Sequence, residues 1–178
     1  MTRAAFDSEA QALGADDLRA WMEARDVRGR FVMPGVPTPT VMAAAAALGV
    51  ASDAILKSLV FLVDGRPWLV VAAGDDRISY RALARVFGVT RRKVRLADPE
   101  EALAISGYVV GAMPPFGHRS TLDTLVDDRV ARPGRTVYSG GGSREALLEL
   151  TTDELMRVTS ARAEPLRDAV ALTERGAP

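Results

Sequence analysis

The segment that most constrains the fold is Ile55-Leu56-Lys57-Ser58-Leu59-Val60-Phe61-Leu62-Val63, joined by Asp64-Gly65-Arg66 to Pro67-Trp68-Leu69-Val70-Val71-Ala72-Ala73. Both runs are apolar and rich in β-branched residues. A short Asp-Gly connection between two such runs specifies an antiparallel hairpin. The rest of the chain alternates helix and strand signals around it. Thr38-Pro39 reads as a cap and first helical position before the alanine-rich stretch that Gly49 ends. Ser79 caps a helix through Phe87, with Gly88 just beyond it, and Asp98-Pro99-Glu100-Glu101 opens another. Thr151 or Thr152 begins a helix that runs to Val158.

Phe6 to Arg25 has helical spacing of apolar residues, with Asp7 or Ser8 as its cap and Gly14 as a point of division. Shorter strand signals fall at Phe31–Met33, Lys93–Leu96, Thr124–Val126, Thr136–Tyr138, Ala146–Leu150 and Ala161–Leu166. This order predicts one α/β domain of the α+β kind, a mixed sheet flanked by helices. A length of 178 residues suits a single domain spanning 1–178. Within it, residues 1–30 form an N-terminal helical segment and 167–178 a peripheral tail.

Composition removes several chemistries. There is no cysteine and one histidine, which excludes thiol nucleophiles, disulfide scaffolds, cysteine-ligated zinc and multi-histidine metal sites. No metal and no cofactor is expected. The 23 basic and 23 acidic residues cancel, so an anionic ligand has to be held by a local feature and not by a global field. Met1 to Ala20 contains acids and no continuous apolar core of a secretory signal, and no window is long enough to cross a bilayer. A soluble, cytoplasmic protein is the expectation.

Only two of the basic residues are lysines, Lys57 and Lys93, and Lys57 lies inside the most apolar strand. Burying an ammonium is costly without a partner or a ligand. Lys57 therefore either starts the strand facing water or supplies a fixed positive charge to a phosphate, a carboxylate or a developing oxyanion. A second candidate is Gly107-Tyr108-Val109-Val110-Gly111-Ala112-Met113-Pro114-Pro115-Phe116-Gly117-His118, where prolines restrain and glycines free the backbone. It is either a structural turn or a rigid loop presenting backbone groups to a ligand. A third is Ser139-Gly140-Gly141-Gly142-Ser143, readable as a flexible hairpin loop or as an anion nest of successive N–H donors. A triad of His118, Asp123 and Ser120 or Ser143 can be drawn, although no G-x-S-x-G elbow supports it. The basic run Arg91-Arg92-Lys93-Val94-Arg95 fits a solvated strand edge or a phosphate contact.

Taken in order, the Lys57 strand, the Gly111-Ala112-Met113-Pro114-Pro115-Phe116-Gly117-His118 loop and the Gly140-Gly141-Gly142-Ser143 segment before Leu147-Leu148-Glu149-Leu150 resemble the YbaK/aminoacyl-tRNA-associated domain family. The resemblance covers residues 38–166. It implies a mixed, curved sheet and hydrolysis of the ester between a wrong amino acid and the 3′ end of a tRNA, typically tRNA(Pro). It also implies that Lys57 and Gly111 act in catalysis. Ser58, Met113, Pro115, Phe116, Gly117, His118, Ser139, Gly140, Gly141 and Gly142 would hold substrate, and a water would be placed partly by the Gly111 carbonyl. The implied partners are a mischarged tRNA end and a prolyl-tRNA synthetase. Alanine or another small residue is the expected amino acid, with Met113-Pro114-Pro115-Phe116 as the wall that excludes proline. Alternatives within the same fold are a cysteinyl-tRNA(Pro) deacylase and a non-catalytic module that binds tRNA or a synthetase.

Overall fold

The computed structural model describes residues 12–74 and 76–168. The hairpin at its centre is β2 (Leu56–Val63) with β3 (Arg66–Ala73), in register from Leu56 opposite Ala73 to Val63 opposite Arg66. Asp64 and Gly65 turn the chain with φ of 50° and 82°, the paired positive angles of a type I′ turn, which matches the twist of the flanking strands.

Around the hairpin the chain adds α1 (Ala15–Glu23), β1 (Arg30–Val32), α2 (Val41–Leu48), α3 (Tyr80–Phe87), β4 (Val94–Leu96) and α4 (Pro99–Ser106). After the long loop come β5 (Thr124–Asp127), β6 (Thr136–Gly140), β7 (Leu147–Thr151), α5 (Thr152–Thr159) and β8 (Arg162–Glu164). The strands make two sheets. One is five-stranded and mixed, in the order β4-β2-β3-β5-β8, with β2 antiparallel to β3 and β4, and β5 parallel to β3 and β8. The other is antiparallel, in the order β1-β7-β6, and a bridge between Ile55 and Tyr138 joins it to the first.

Alternation along the central strands sends side chains to two cores. Leu56, Val60, Leu69 and Val71 pack with Leu18, Tyr108, Met113, Phe116 and Leu148. Phe61, Val63, Val70 and Ala72 pack on the other face with Ile78, Leu83 and Leu166. A third cluster seats α2 on the junction of the sheets through Ala44, Ala45, Ile55 and Leu147.

Several expected boundaries move for local reasons. The cap of the first helix expected from Asp7 or Ser8 lies outside the described residues, and the described helix starts after Gly14. The cap of α2 is Thr40, whose hydroxyl accepts from Ala43 N, and not Thr38. Thr38 is buried and turned toward the Arg144 carbonyl, so it holds the loop before the helix instead of the helix itself. Arg91–Lys93 form a 3₁₀ turn, which delays β4 to Val94. Arg167 and Asp168, at the start of the segment expected to be peripheral, are tied to Asp127 and Ser79.

The loop after α4 is anchored by Tyr108, which has no exposed surface and donates from its hydroxyl to Gly117 O at 3.1 Å. Burial, with the nearby Asp17 carboxylate adding to it, pushes the phenol up to about 12. Tyr108→Phe leaves the Gly117 carbonyl without this donor. The variant should lose about 1 to 2 kcal/mol in urea denaturation with an unchanged m-value. A stability within experimental error of the parent would mean that this bond does not anchor the loop.

Candidate active site

β4 pairs only with Phe61–Val63 of β2, and the Ala97 N–H bond to Val60 O, 2.9 Å, is the last contact that the β4 segment makes along that edge. Leu56 to Leu59 therefore have no strand partner on that side among the described residues. A cleft of about 180 Å³ lies there, floored by this edge. The segment from Thr38 to Val41 and the residues Gly111, Met113, Ser139 and Gly140 close it. Lys57 and Ser58 both line it, although their side chains leave the strand on opposite faces.

Lys57 is half-buried, and its ammonium donates to the backbone carbonyl of Asp76 beyond the end of β3. The ammonium is held against the chain by this bond instead of extending freely into bulk water. Ser58 Oγ is buried and has no hydrogen-bond partner. It also borders a recess of about 120 Å³ between Val60, Ala97, Ala102 and Met113, which shares Ser58, Val110 and Met113 with the cleft. In an otherwise apolar recess it is the one side-chain polar group on the wall.

The Gly111–His118 loop divides its residues between two places. Gly111, at φ 90°, and Met113 face the cleft. Pro115, Phe116, Gly117 and His118 line a separate cavity of about 270 Å³ on the other side, with Trp21 and Arg25. Phe116 is buried there in a stack with Trp21, centroids 5.4 Å apart, and Arg25 covers Trp21 at 4.4 Å. The wall of the cleft is thus Met113 without Phe116. The Trp21 partner, distant in sequence, draws the phenyl ring away.

The three glycines are placed by packing. A Cβ on Gly140 would lie 2.5 Å from Met113 O and 2.7 Å from Ala112 C, so only glycine lets β6 meet the loop this closely. The N–H groups of Gly141 and Gly142 donate to Ala146 O at 3.0 Å and Ala112 O at 2.9 Å. They are spent inside the protein, and the anion nest read from the sequence does not form from them. Ser139 is fully buried with its hydroxyl on the Gly140 carbonyl. Among the described residues no group of histidine and carboxylate side chains could hold a metal ion. No helix among them is long and apolar enough to cross a membrane.

Known proteins similar to this chain show its family. The family model described as the aminoacyl-tRNA editing domain matches residues 36–158. The chain belongs to the aminoacyl-tRNA editing domain family. It is 37% identical over 117 residues to the uncharacterised protein YwhH of Bacillus subtilis (strain 168), covering 65% of this chain and 72% of that one. It is 35% identical over 85 residues to a proline–tRNA ligase of Nitratidesulfovibrio vulgaris (strain DP4), covering 46% of this chain but 14% of the ligase. Among solved structures, the hypothetical protein APE2540 superposes with a TM-score of 0.77 at 34% identity, over 84% of this chain and 98% of that one. A protein proposed as a trans-editing enzyme for prolyl-tRNA synthetase superposes with the same score at 30% identity, over 87% and 97%.

In this editing domain His118 is badly placed to be a base. Its Nε2 is 2.9 Å from Pro114 O, and Asp123 pairs with Arg66 at the surface instead of orienting the imidazole. Burial pulls the imidazole down to about 4, against a smaller opposing contribution from the Pro114 carbonyl. The triad read from the sequence is not assembled.

Residues that the sequence did not single out are the cleft walls from Thr38 to Val41 and the Asp76 carbonyl. The Thr-Pro-Thr spacing was a signal for a helix start only. Nothing local marks Asp76 as the acceptor for a lysine 19 residues earlier.

Two expectations follow from this geometry. Gly140→Ala drives its methyl into the Ala112–Met113 backbone, so it should cost about 1 to 3 kcal/mol of stability and open the cleft. Urea denaturation together with nucleoside-ester hydrolysis measures both, and an unperturbed variant would show the contact to be looser than drawn. For His118, the folded chain keeps the ring neutral while the unfolded chain protonates near pH 6.5. Stability is therefore full above about pH 6.5 and falls as pH drops toward 4, by at most about 3 kcal/mol from this residue. His118→Gln should remove that share of the slope in melting curves between pH 4 and pH 7, and an identical slope would contradict the buried neutral ring.

Proposed function

We propose that this editing domain is a trans-editing deacylase that hydrolyses the ester of a mischarged tRNA, tRNA(Pro) bearing alanine or another small amino acid. The observation that carries the reading is Lys57, with its ammonium held by the Asp76 carbonyl, on the lining of a small cleft that it shares with Gly111, Met113 and Gly140. The named relatives of this chain, proline–tRNA ligases and a proposed trans-editing enzyme for the prolyl synthetase, support tRNA(Pro) as the substrate class.

In this scheme the ester carbonyl lies near Lys57, and the recess beside Ser58 and Met113 takes the amino-acid side chain. Water attacks the carbonyl carbon, and the negative charge that develops on the carbonyl oxygen is met by the ammonium. The bond to the ribose oxygen then breaks. One proton of the water ends on the ribose hydroxyl, and the amino acid leaves with its new carboxylate losing its proton to solvent. The Gly111 carbonyl, on an exposed backbone at positive φ, orients the attacking water. An aminoacyl ester is more reactive than an amide, so charge stabilisation and positioning carry the catalysis without a side-chain base. A cysteinyl ester is the second reading, favoured by the unpartnered Ser58 hydroxyl beside the recess, which a polar side chain of the substrate would satisfy.

The test is a deacylation panel of tRNA(Pro) charged with alanine, cysteine, serine or proline. Alanyl-tRNA(Pro) should be cleaved far faster than prolyl-tRNA(Pro), and the fastest of the small aminoacyl esters names the preferred residue. Lys57→Ala should lose about 2 to 4 kcal/mol of transition-state stabilisation, roughly 30- to 1,000-fold in rate, with its circular dichroism unchanged. Met113→Ala should admit larger residues, whereas Phe116→Ala should leave selectivity alone because its ring lies in the other cavity. A binding module without activity would cleave none of the four. Near-normal turnover by the Lys57 variant would refute the site.

A further inference from the structure

The Asp76 carbonyl that receives the Lys57 ammonium belongs to a short connection, Asp76–Ser79, between β3 and α3. By itself such a connection is a weak platform for a functional charge. Here it is gripped from one direction. The Asp76 carboxylate is 3.1 Å from Arg129 Nη1 and 4.0 Å from Arg167 Nε. Ser79 N–H donates to Leu166 O at 2.8 Å, and Ser79 Oγ donates to the Asp168 carboxylate at 2.5 Å. Three successive residues, Leu166, Arg167 and Asp168, thus hold both ends of the connection.

The grip is itself anchored. Leu166 has no exposed surface and sits in the core with Val70, Ala72 and Ile78. Arg167 Nε lies 3.1 Å from the carboxylate of Asp127, which is 1% exposed, and Arg167 Nη2 lies 2.5 Å from Asp128. Asp127 also accepts the N–H groups of Leu166 and Arg129, so both arginines that reach Asp76 are referenced to one buried carboxylate at the end of β5. A buried ion pair with its remaining lone pairs satisfied has one geometry, and it passes that geometry to whatever it touches.

We infer that Arg167 is a positioning residue for Lys57: the Leu166–Asp168 segment clamps the Asp76 connection and so fixes where the lysine ammonium sits in the cleft. The clamp lies outside residues 36–158, the part of the chain that carries the family match. The site is therefore completed by chain beyond the matched domain. The inference rests on the deacylase reading for its consequence in turnover, and on contacts alone for the coupling between Arg167 and Lys57.

The two lysines of the chain make the coupling directly readable. Full-length protein labelled with ¹³C at lysine Cε gives one signal for Lys57 and one for Lys93, assigned with Lys93→Arg. In Arg167→Ala the Lys57 signal should shift, while that of Lys93, paired with Asp64 at 2.9 Å, should not. On alanyl-tRNA(Pro), kcat should fall by about tenfold to a hundredfold with KM little changed, the pattern of a misplaced group and not of lost binding. Arg167→Lys should recover part of both. Arg157→Ala, which removes an ion pair to Glu154 away from Asp76, should move neither. Should Arg167→Ala not fold, Asp168→Ala cuts the hydrogen bond to Ser79 and leaves Arg167 in place, and it should displace the Lys57 signal in the same direction by less. An unmoved Lys57 signal in the folded variants overturns the inference. A moved signal with undiminished kcat keeps the coupling and overturns the assignment of Lys57 to the chemistry.

Discussion

The structure depends on a strand edge that is only half paired. β4 covers β2 from Phe61 to Val63 and stops, because Asp98-Pro99 turns the chain into α4 directly after Leu96 and Ala97. Backbone polar groups at a buried edge need partners, and an exposed apolar edge invites pairing with another chain. This molecule covers the remaining edge with segments that cannot act as strands: the Thr38–Val41 approach to α2 and the Gly/Pro loop after α4. The imperfect cover is the cleft. Its floor is rigid because the same residues form the central hairpin, and rigidity is what a site based on charge placement requires.

The loop from Gly107 to His118 works as a partition. One end is tied down by Tyr108 reaching across to Gly117, and the middle is pressed against Gly140 so closely that a methyl group would not fit. Met113 is thereby presented to the cleft, and Phe116 to Trp21 on the opposite side. The buried neutral His118 belongs to that second side, where its hydrogen bond to Pro114 stiffens the loop. The lining of the cleft and the support of the loop are therefore carried by neighbouring residues of one motif that face different cavities.

Much of this was legible in the sequence, for identifiable reasons. The hairpin, the caps at Ser79, Asp98 and Thr151, and the glycines after α2 and α3 are set by interactions within a few residues, so local chemistry determines them. Lys57 was conspicuous because an ammonium in an apolar strand needs an explanation. What was not legible depends on residues far apart in the chain. The partners of the Gly141 and Gly142 N–H groups are Ala146 and Ala112, and the partner of Phe116 is Trp21. The ordered tail at Leu166–Asp168 likewise follows from Asp127, whose burial no pattern around it announces. A glycine run has the same appearance whether its donors face a ligand or a carbonyl, and only the fold decides between them.

The central claim is that the aminoacyl end of tRNA enters the cleft on the Lys57 side of the loop. The most direct measurement is an NMR titration of the full chain with a non-hydrolysable 3′-alanylamino-adenosine. The account predicts that amide signals of Ser58, Gly111, Met113 and Gly140 shift with saturation, while those of Gly117, His118 and Ser120 stay in place. Shifts centred on Gly117, His118 and Ser120 with the Lys57 side silent would contradict it.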